Sequence, residues 1–335
     1  MVRIVQLILC ICFVSTSLLA NGIKDSDLPN IGCAIYKFDD TFMSWVRDSI
    51  VTASQNRAKV TIVDSENSQA IQNAKVELFL NLEMDCLILN PVDRVAAGVE
   101  IDKAKTQGTP IVFVNRMPFK EDMAKWDQVY YVGTKAEQSG ILSAQILEDY
   151  WINHPEADKN NDGILQYVLL KGEPGHQDAE LRSEYSIKYL EDKGIKVMKL
   201  AEDTGMWDQV KGQEKMASFL ASYGDQIEAV ISNNDDMALG AIEALKAYGY
   251  FTNSKYMPVI GVDATEPALH ALQEGTLLGT VLNDAHNQAN AAVNLAIQLS
   301  TGAPINEESI GYPLDGHYVW IPYKKVTQSN YKEYM

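Results

Sequence analysis

An α/β fold made of two similar doubly wound parallel-sheet domains is what this 335-residue sequence predicts. Short apolar runs alternate with amphipathic segments from residue 31 onward. The runs are continuously apolar, as strands covered on both faces are, instead of alternating apolar with polar. The alternation breaks at residues 151–163 (WINHPEADKNNDG), and the units before and after this break match in length and rhythm.

The elements follow in order. In the first half, strands are expected at 31–36 (IGCAIY), 58–63 (AKVTIV), 85–90 (DCLILN), 109–115 (TPIVFVN) and 130–134 (YYVGT). Helices at 42–55, 69–81, 96–108 and 136–151 repeat apolar residues at helical spacing and supply the crossovers that a parallel sheet needs. The second half repeats the scheme. Its strands are 164–171, 195–200, 227–233, 257–263 and 277–283, and its helices 179–194, 213–224, 236–249 and 287–302. Gly108, Gly194, Gly249 and Gly302 stand where these helices stop, as a left-handed C-terminal residue requires.

Composition narrows the function. A formal net charge of −17 and a pI near 4.7, without a basic cluster, exclude nucleic acid as the main partner, because phosphates need Lys and Arg. The same balance disfavours an anionic membrane surface. Residues 1–20 place Arg3 before a short apolar run and small residues, the layout of a secretory signal peptide cut after Ala20. Its apolar core is too short for a spanning helix of roughly 20 apolar residues. Cys10 and Cys12 lie in this segment outside the usual lipoprotein pattern, so export free or on a lipid anchor both stay open. Only Cys33 and Cys86 lie beyond it, each inside an apolar run, and they read as buried free thiols.

In doubly wound sheets ligands sit beyond the carboxyl ends of the strands. Asp40, Asn90, Asn115, His176, Asp178, Asn234, Asp263 and Asn283 fall there, a set of carboxylates, amides and one imidazole without a nucleophile. Aromatic Phe42 and Trp207 occupy equivalent places in the two halves, and Arg182 follows Asp178 by four residues. Aromatic faces with Asp, Asn, Arg and His around them suit a pyranose, which has an apolar face and a rim of hydroxyls. Read singly, each residue is equally at home as an N-cap, a core ring or a surface ion pair. No nucleophile elbow, zinc-binding HExxH, Walker loop or GxGxxG is present.

Residues 158–166 (DKNNDGILQ) carry a second pattern. Asp158, Asn160, Asp162 and Gln166 take positions 1, 3, 5 and 9 of a calcium loop, Gly163 takes position 6, and Ile164 offers its carbonyl at position 7. Position 12 is Leu169, so a carboxylate must come from elsewhere in the chain.

The strings 36–43 (YKFDDTFM), 130–134 (YYVGT), 169–180 (LLKGEPGHQDAE), 232–246 (SNNDDMALGAIEALK), 261–263 (GVD) and 279–284 (GTVLND) resemble the periplasmic D-galactose/D-glucose-binding proteins, in the same order and over essentially the whole mature chain. The resemblance implies two lobes joined by three crossing segments near Gly133, Asn283 and Tyr318. The N-terminal lobe is then 21–133 plus 284–318, and the C-terminal lobe 134–283 plus 319–335. It implies a sugar site of Asp40, Phe42 and Asn115 from the first lobe and His176, Asp178, Arg182, Trp207, Asn234 and Asp263 from the second, with Asn283 at a crossing. Phe42 and Trp207 would stack on the ring, and Asp40 would meet either epimer near O4. It also implies that Glu228 completes a structural Ca2+ site with Asp158, Asn160, Asp162, Ile164 and Gln166. The expected protein is a monomeric periplasmic receptor for D-galactose or D-glucose, serving an ABC importer and, in some members, a chemoreceptor. Thr41 and the insertion near residues 250–255 depart from the pattern and bear on closure. Another monosaccharide such as xylose or ribose, or a glycoside, remains an alternative ligand. A repressor-type regulator would need an N-terminal helix-turn-helix where an export signal stands. An enzyme using the cleft carboxylates as acid and base is the remaining alternative.

Overall fold

The computed structural model describes residues 28–252 and 255–335. The signal-peptide reading of residues 1–20 lies outside the described residues. Five parallel strands open the chain: β1 Asn30–Ile35, β2 Lys59–Asp64, β3 Cys86–Leu89, β4 Ile111–Val114 and β5 Val129–Gly133. Five more follow: β6 Ile164–Lys171, β7 Lys196–Thr204, β8 Ala229–Ser232, β9 Val259–Ile260 and β10 Gly279–Leu282. β11 Tyr318–Trp320 and β12 Lys324–Thr327 close the chain. The helices are α1 Thr41–Ser54, α2 Gln69–Asn81, α3 Ala97–Gln107, α4 Lys120–Met123, α5 Ala136–Asn153 and α6 Gln177–Asp192. Then come α7 Gln209–Tyr223, α8 Asp235–Ala247, α9 Glu266–Glu274, α10 Ala285–Thr301 and α11 Glu307–Ile310.

Two six-stranded sheets result, ordered β11-β5-β4-β3-β1-β2 and β12-β10-β9-β8-β6-β7. The pleat sorts each apolar run into two cores. Ile31, Cys33 and Ile35 of β1 pack under α1 and α10, while Ala34 faces α2 and α3. Gly32 lies against the Phe79 ring of α2, where a Cβ would clash. In the second lobe α5 and α6 cover one face, and α7, α8 and α9 the other. Cys33 and Cys86 are free and buried, and burial pushes the Cys33 thiol up to about 12. No helix among the described residues is long and apolar enough to cross a membrane.

The reading needs three corrections. β11 pairs with β5 as far as Trp320↔Gly133, so the third crossing falls at residues 321–323 and not at Tyr318. β12 runs antiparallel to β10, so the second sheet is parallel except at that edge. α9 went unread: its nine residues are too few for a clear period, although Thr265 caps it and Pro267 opens it. The crossings are bonded together, with Ile321 N–H donating to Gly133 O at 2.8 Å and the Thr134 hydroxyl to the Tyr323 hydroxyl at 2.7 Å.

Candidate functional site

Both sheets share the order in which the chain reverses direction beside its first strand, and a crevice opens there at the carboxyl ends of the strands. The two crevices face each other across the crossings and form one slot. Asp40, Phe42, Asn115, His176, Asp178, Arg182, Trp207, Asn234, Asp263 and Asn283 all line it. Its empty space, part of it open to solvent, amounts to about 370 Å3.

Helix starts position much of this lining. Asp40 follows β1 and caps α1: Met43 N–H donates to one of its carboxylate oxygens at 2.7 Å, and the Tyr36 hydroxyl to the other at 2.5 Å. The capping and lining roles thus belong to one side chain. Asn234 caps α8, and its Nδ2 donates to the Trp207 carbonyl at 3.1 Å. His176 caps α6, its Nδ1 accepting from Asp178 N–H at 3.1 Å. Burial first, then the charges of Arg116, Arg182 and Arg94, hold His176 well below the usual imidazole range. It is therefore neutral, with Nδ1 accepting and the proton left on Nε2.

Trp207 has φ 64, a left-handed backbone, and sits above Gly172, where any Cβ would fall inside the indole. The imidazole of His176 meets the indole edge to face at 5.0 Å between centroids. Trp207 Nε1 is buried without an acceptor, a donor free for a ligand. Arg182 donates to Asn233 O at 2.7 Å, to the Tyr323 hydroxyl at 2.9 Å and to Asp178 at 3.3 Å. This ties a slot residue to the third crossing. Asn283 donates to Asp263 at 3.1 Å and accepts from Gln288 at 2.6 Å. Burial first, and Asp235 and Asp40 after it, push Asp263 well above the usual carboxylate range, against the pull of Arg182 and Asn283. A ligand hydroxyl would replace the solvent this carboxylate has lost.

The structure separates Asn90 from the other strand-end residues. It is fully buried, accepts from Tyr36 N–H at 3.2 Å and donates to Val114 O at 3.0 Å and Asn115 at 3.2 Å, so it supports Asn115 from behind. Three lining residues went unread: Tyr36, Met43 and Arg116. Arg116 stacks on Tyr36 at 3.8 Å and pairs with Glu173 of the other lobe at 2.8 Å. Its place directly after Asn115 was the available signal. A second bond joins the lobes, from the Thr41 hydroxyl to Asp236 at 2.7 Å.

Tyr250 and Lys255 both contact Asp225, beside the 158–166 loop. In that loop Asp158 accepts from Asp162 N–H and Gly163 N–H, and Asp162 accepts from Ile164 N–H at 2.8 Å. Glu228, 1% exposed, accepts from Lys159 N–H at 2.7 Å and Gln166 N–H at 2.9 Å, which brings it to the loop. Among the described residues, no three His, Cys, Asp or Glu side chains gather as a metal cluster. Much of this donor set is amide and carbonyl oxygen, and Gln166 Oε1 is buried without a partner. An oxygen-rich set with an orphaned acceptor suits a hard cation.

A slot closed between two lobes and lined by paired polar edges and rings defines a two-lobed binding protein for a small polar ligand. The periplasmic binding protein domain matches residues 31–304. The chain is 42% identical over 308 residues to the D-galactose/methyl-galactoside binding periplasmic protein of Haemophilus influenzae, covering 91% of each. It is 28% identical to a ribose import binding protein of Bacillus subtilis over 75% of each chain. A solved ABC transporter solute binding protein of Bacillus halodurans with bound myo-inositol superposes with TM-score 0.77 at 31% identity, over 93% of this chain and 98% of that one. The chain belongs to the periplasmic binding protein family. It is a sugar-binding, extracytoplasmic component of ABC transport and not an enzyme.

Proposed function

We propose that the slot binds D-galactose or D-glucose and that the closed, loaded protein delivers the sugar to an ABC importer and also signals to a chemoreceptor. One observation carries the hexose reading: rings from both lobes and six acid or amide side chains line one slot, with Arg182, Arg116 and neutral His176 beside them. Phe42 and Trp207 would take the two ring faces, and the Asp40 carboxylate would accept from an axial or an equatorial hydroxyl. The sugar contacts both lobes, so it favours the closed form by the contacts available only there. The relative from Haemophilus influenzae, named for D-galactose, supports this choice.

We further propose that Asp158, Asn160, Asp162, Gln166, Glu228 and the Ile164 carbonyl hold Ca2+. The ion would supply structural cross-linking of the loop to β8, with no part in ligand chemistry. Gln166 Oε1, buried without a partner, supports this.

Thermal shift with a panel of monosaccharides, with and without EDTA, tests both readings, because a ligand that binds only the native state raises its midpoint. D-Galactose or D-glucose should raise Tm most, and EDTA should lower it. A shift with D-xylose or D-ribose alone would transfer the slot to a pentose. An unchanged Tm in EDTA would remove the calcium site.

A further inference from the structure

The cleft does not end at the slot. Arg116, His176 and Asp178 line both the slot and a wider groove beyond it, which also lies between the lobes and has about 1280 Å3 of empty space against about 370 Å3 in the slot. One wall comes from the loop after β3 and the loop after β4, and the other from residues 173–178, the turn before α6 and its first two residues. The chemistry differs from that of the slot. Val95 is 66% exposed and Phe119 40% exposed, so apolar surface faces the groove. The Arg94 guanidinium lies 4.3 Å from the centre of the Phe119 ring. Its Nε is buried without an acceptor, and it has no carboxylate partner within ion-pair distance among the described residues. It lines the groove together with His176 and Asp178, which also line the slot. A planar cation stacked on a ring, with an unused donor, attracts a flat group that carries acceptor oxygens.

We infer that the groove is a subsite for a substituent of the bound sugar: a flat, aryl-like aglycone with acceptor oxygens, on a hexoside whose ring occupies the slot. The inference rests on the hexose reading above. Continuity through Arg116, His176 and Asp178 makes the occupant an extension of the sugar and not a separate ligand. A methyl substituent would leave most of the groove unfilled.

Calorimetric titration of the full chain with D-galactose and with both anomers of 4-nitrophenyl galactoside tests this. One anomer should bind wild type within about tenfold of free galactose or more tightly. Phe119→Ala should weaken that glycoside at least tenfold while leaving the galactose Kd within about threefold, and Arg94→Gln should weaken the glycoside at least tenfold more than it weakens galactose. Galactose binding without binding of either glycoside would overturn the subsite and leave the hexose reading intact. Equal weakening of sugar and glycoside would show that Arg94 and Phe119 act on closure, and would also overturn it. Failure of every sugar and glycoside to bind would remove the hexose reading and the subsite together.

Discussion

Asp40 caps α1, accepts from Tyr36 and lines the slot, so substitutions at this position can be designed to separate these duties. Asn caps a helix nearly as well as Asp but brings no charge. Asp40→Asn should therefore hold Tm within a few degrees while weakening hexose binding about 10- to 100-fold by calorimetry, as loss of a charged hydrogen bond implies. Equal affinities would remove Asp40 from the ligand set. Glu100 offers a test of stability away from the slot. It is buried on α3, accepts from Gln69 at 3.2 Å, and leaves Oε2 without a partner. Burial pushes its carboxyl up to about 7. The native state thus holds this proton more tightly than the unfolded chain, and the associated stability is full at low pH and lost as pH rises through about 7. Glu100→Gln removes that loss. The variant should be more stable than wild type by ~3 kcal/mol at pH 8 in urea unfolding, and the gap should close near pH 4.5.

Helix starts and strand ends, more than any single side chain, hold the binding geometry. Gly172 directly follows β6 and lets the indole of Trp207 lie on the backbone. Gly172→Ala should displace that ring and cost hexose affinity at least tenfold, with far-ultraviolet circular dichroism unchanged. An unaltered Kd would show that the indole can shift without loss. The elements themselves were largely legible in the chain, because continuous apolar runs such as CLIL and IVFV have few other uses than buried strands. α7 begins at Gln209, four residues ahead of its apolar period, because the Asp208 side chain accepts from Lys211 N–H and starts the helix early. β11 and β12 were not legible as sheet members. They are short, and only their partners from distant parts of the chain make them strands.

Among the described residues two bonds join the lobes outside the crossings, Thr41 to Asp236 and Arg116 to Glu173. Neither can survive separation of the lobes, so both bias the molecule toward the closed form. Thr41→Val keeps the shape and removes one of them. It should raise the hexose Kd about three- to tenfold, the equivalent of ~1 kcal/mol of closure. Small-angle scattering should show a larger radius of gyration in the unliganded variant than in unliganded wild type. An unchanged Kd and radius would mean that the bond adds nothing beyond its exchange with water.

Local order along the chain was enough to settle the class of fold, the helix caps, the strand ends and the residue types that collect there, because period, capping and turn chemistry act over a few neighbours. Which of those strand-end residues meet is a matter of topology. Asn90 and Asn115 both end strands of the first sheet, yet one supports and the other lines, because the pleat and the left-handed backbone at Asn115 turn them differently. The pairing of Arg116 with Glu173 and the contact of Thr41 with Asp236 join residues 57 and 195 positions apart, and the groove beside the slot draws its walls from both lobes. They exist only once two independently packed sheets are brought face to face, and no local pattern encodes that approach.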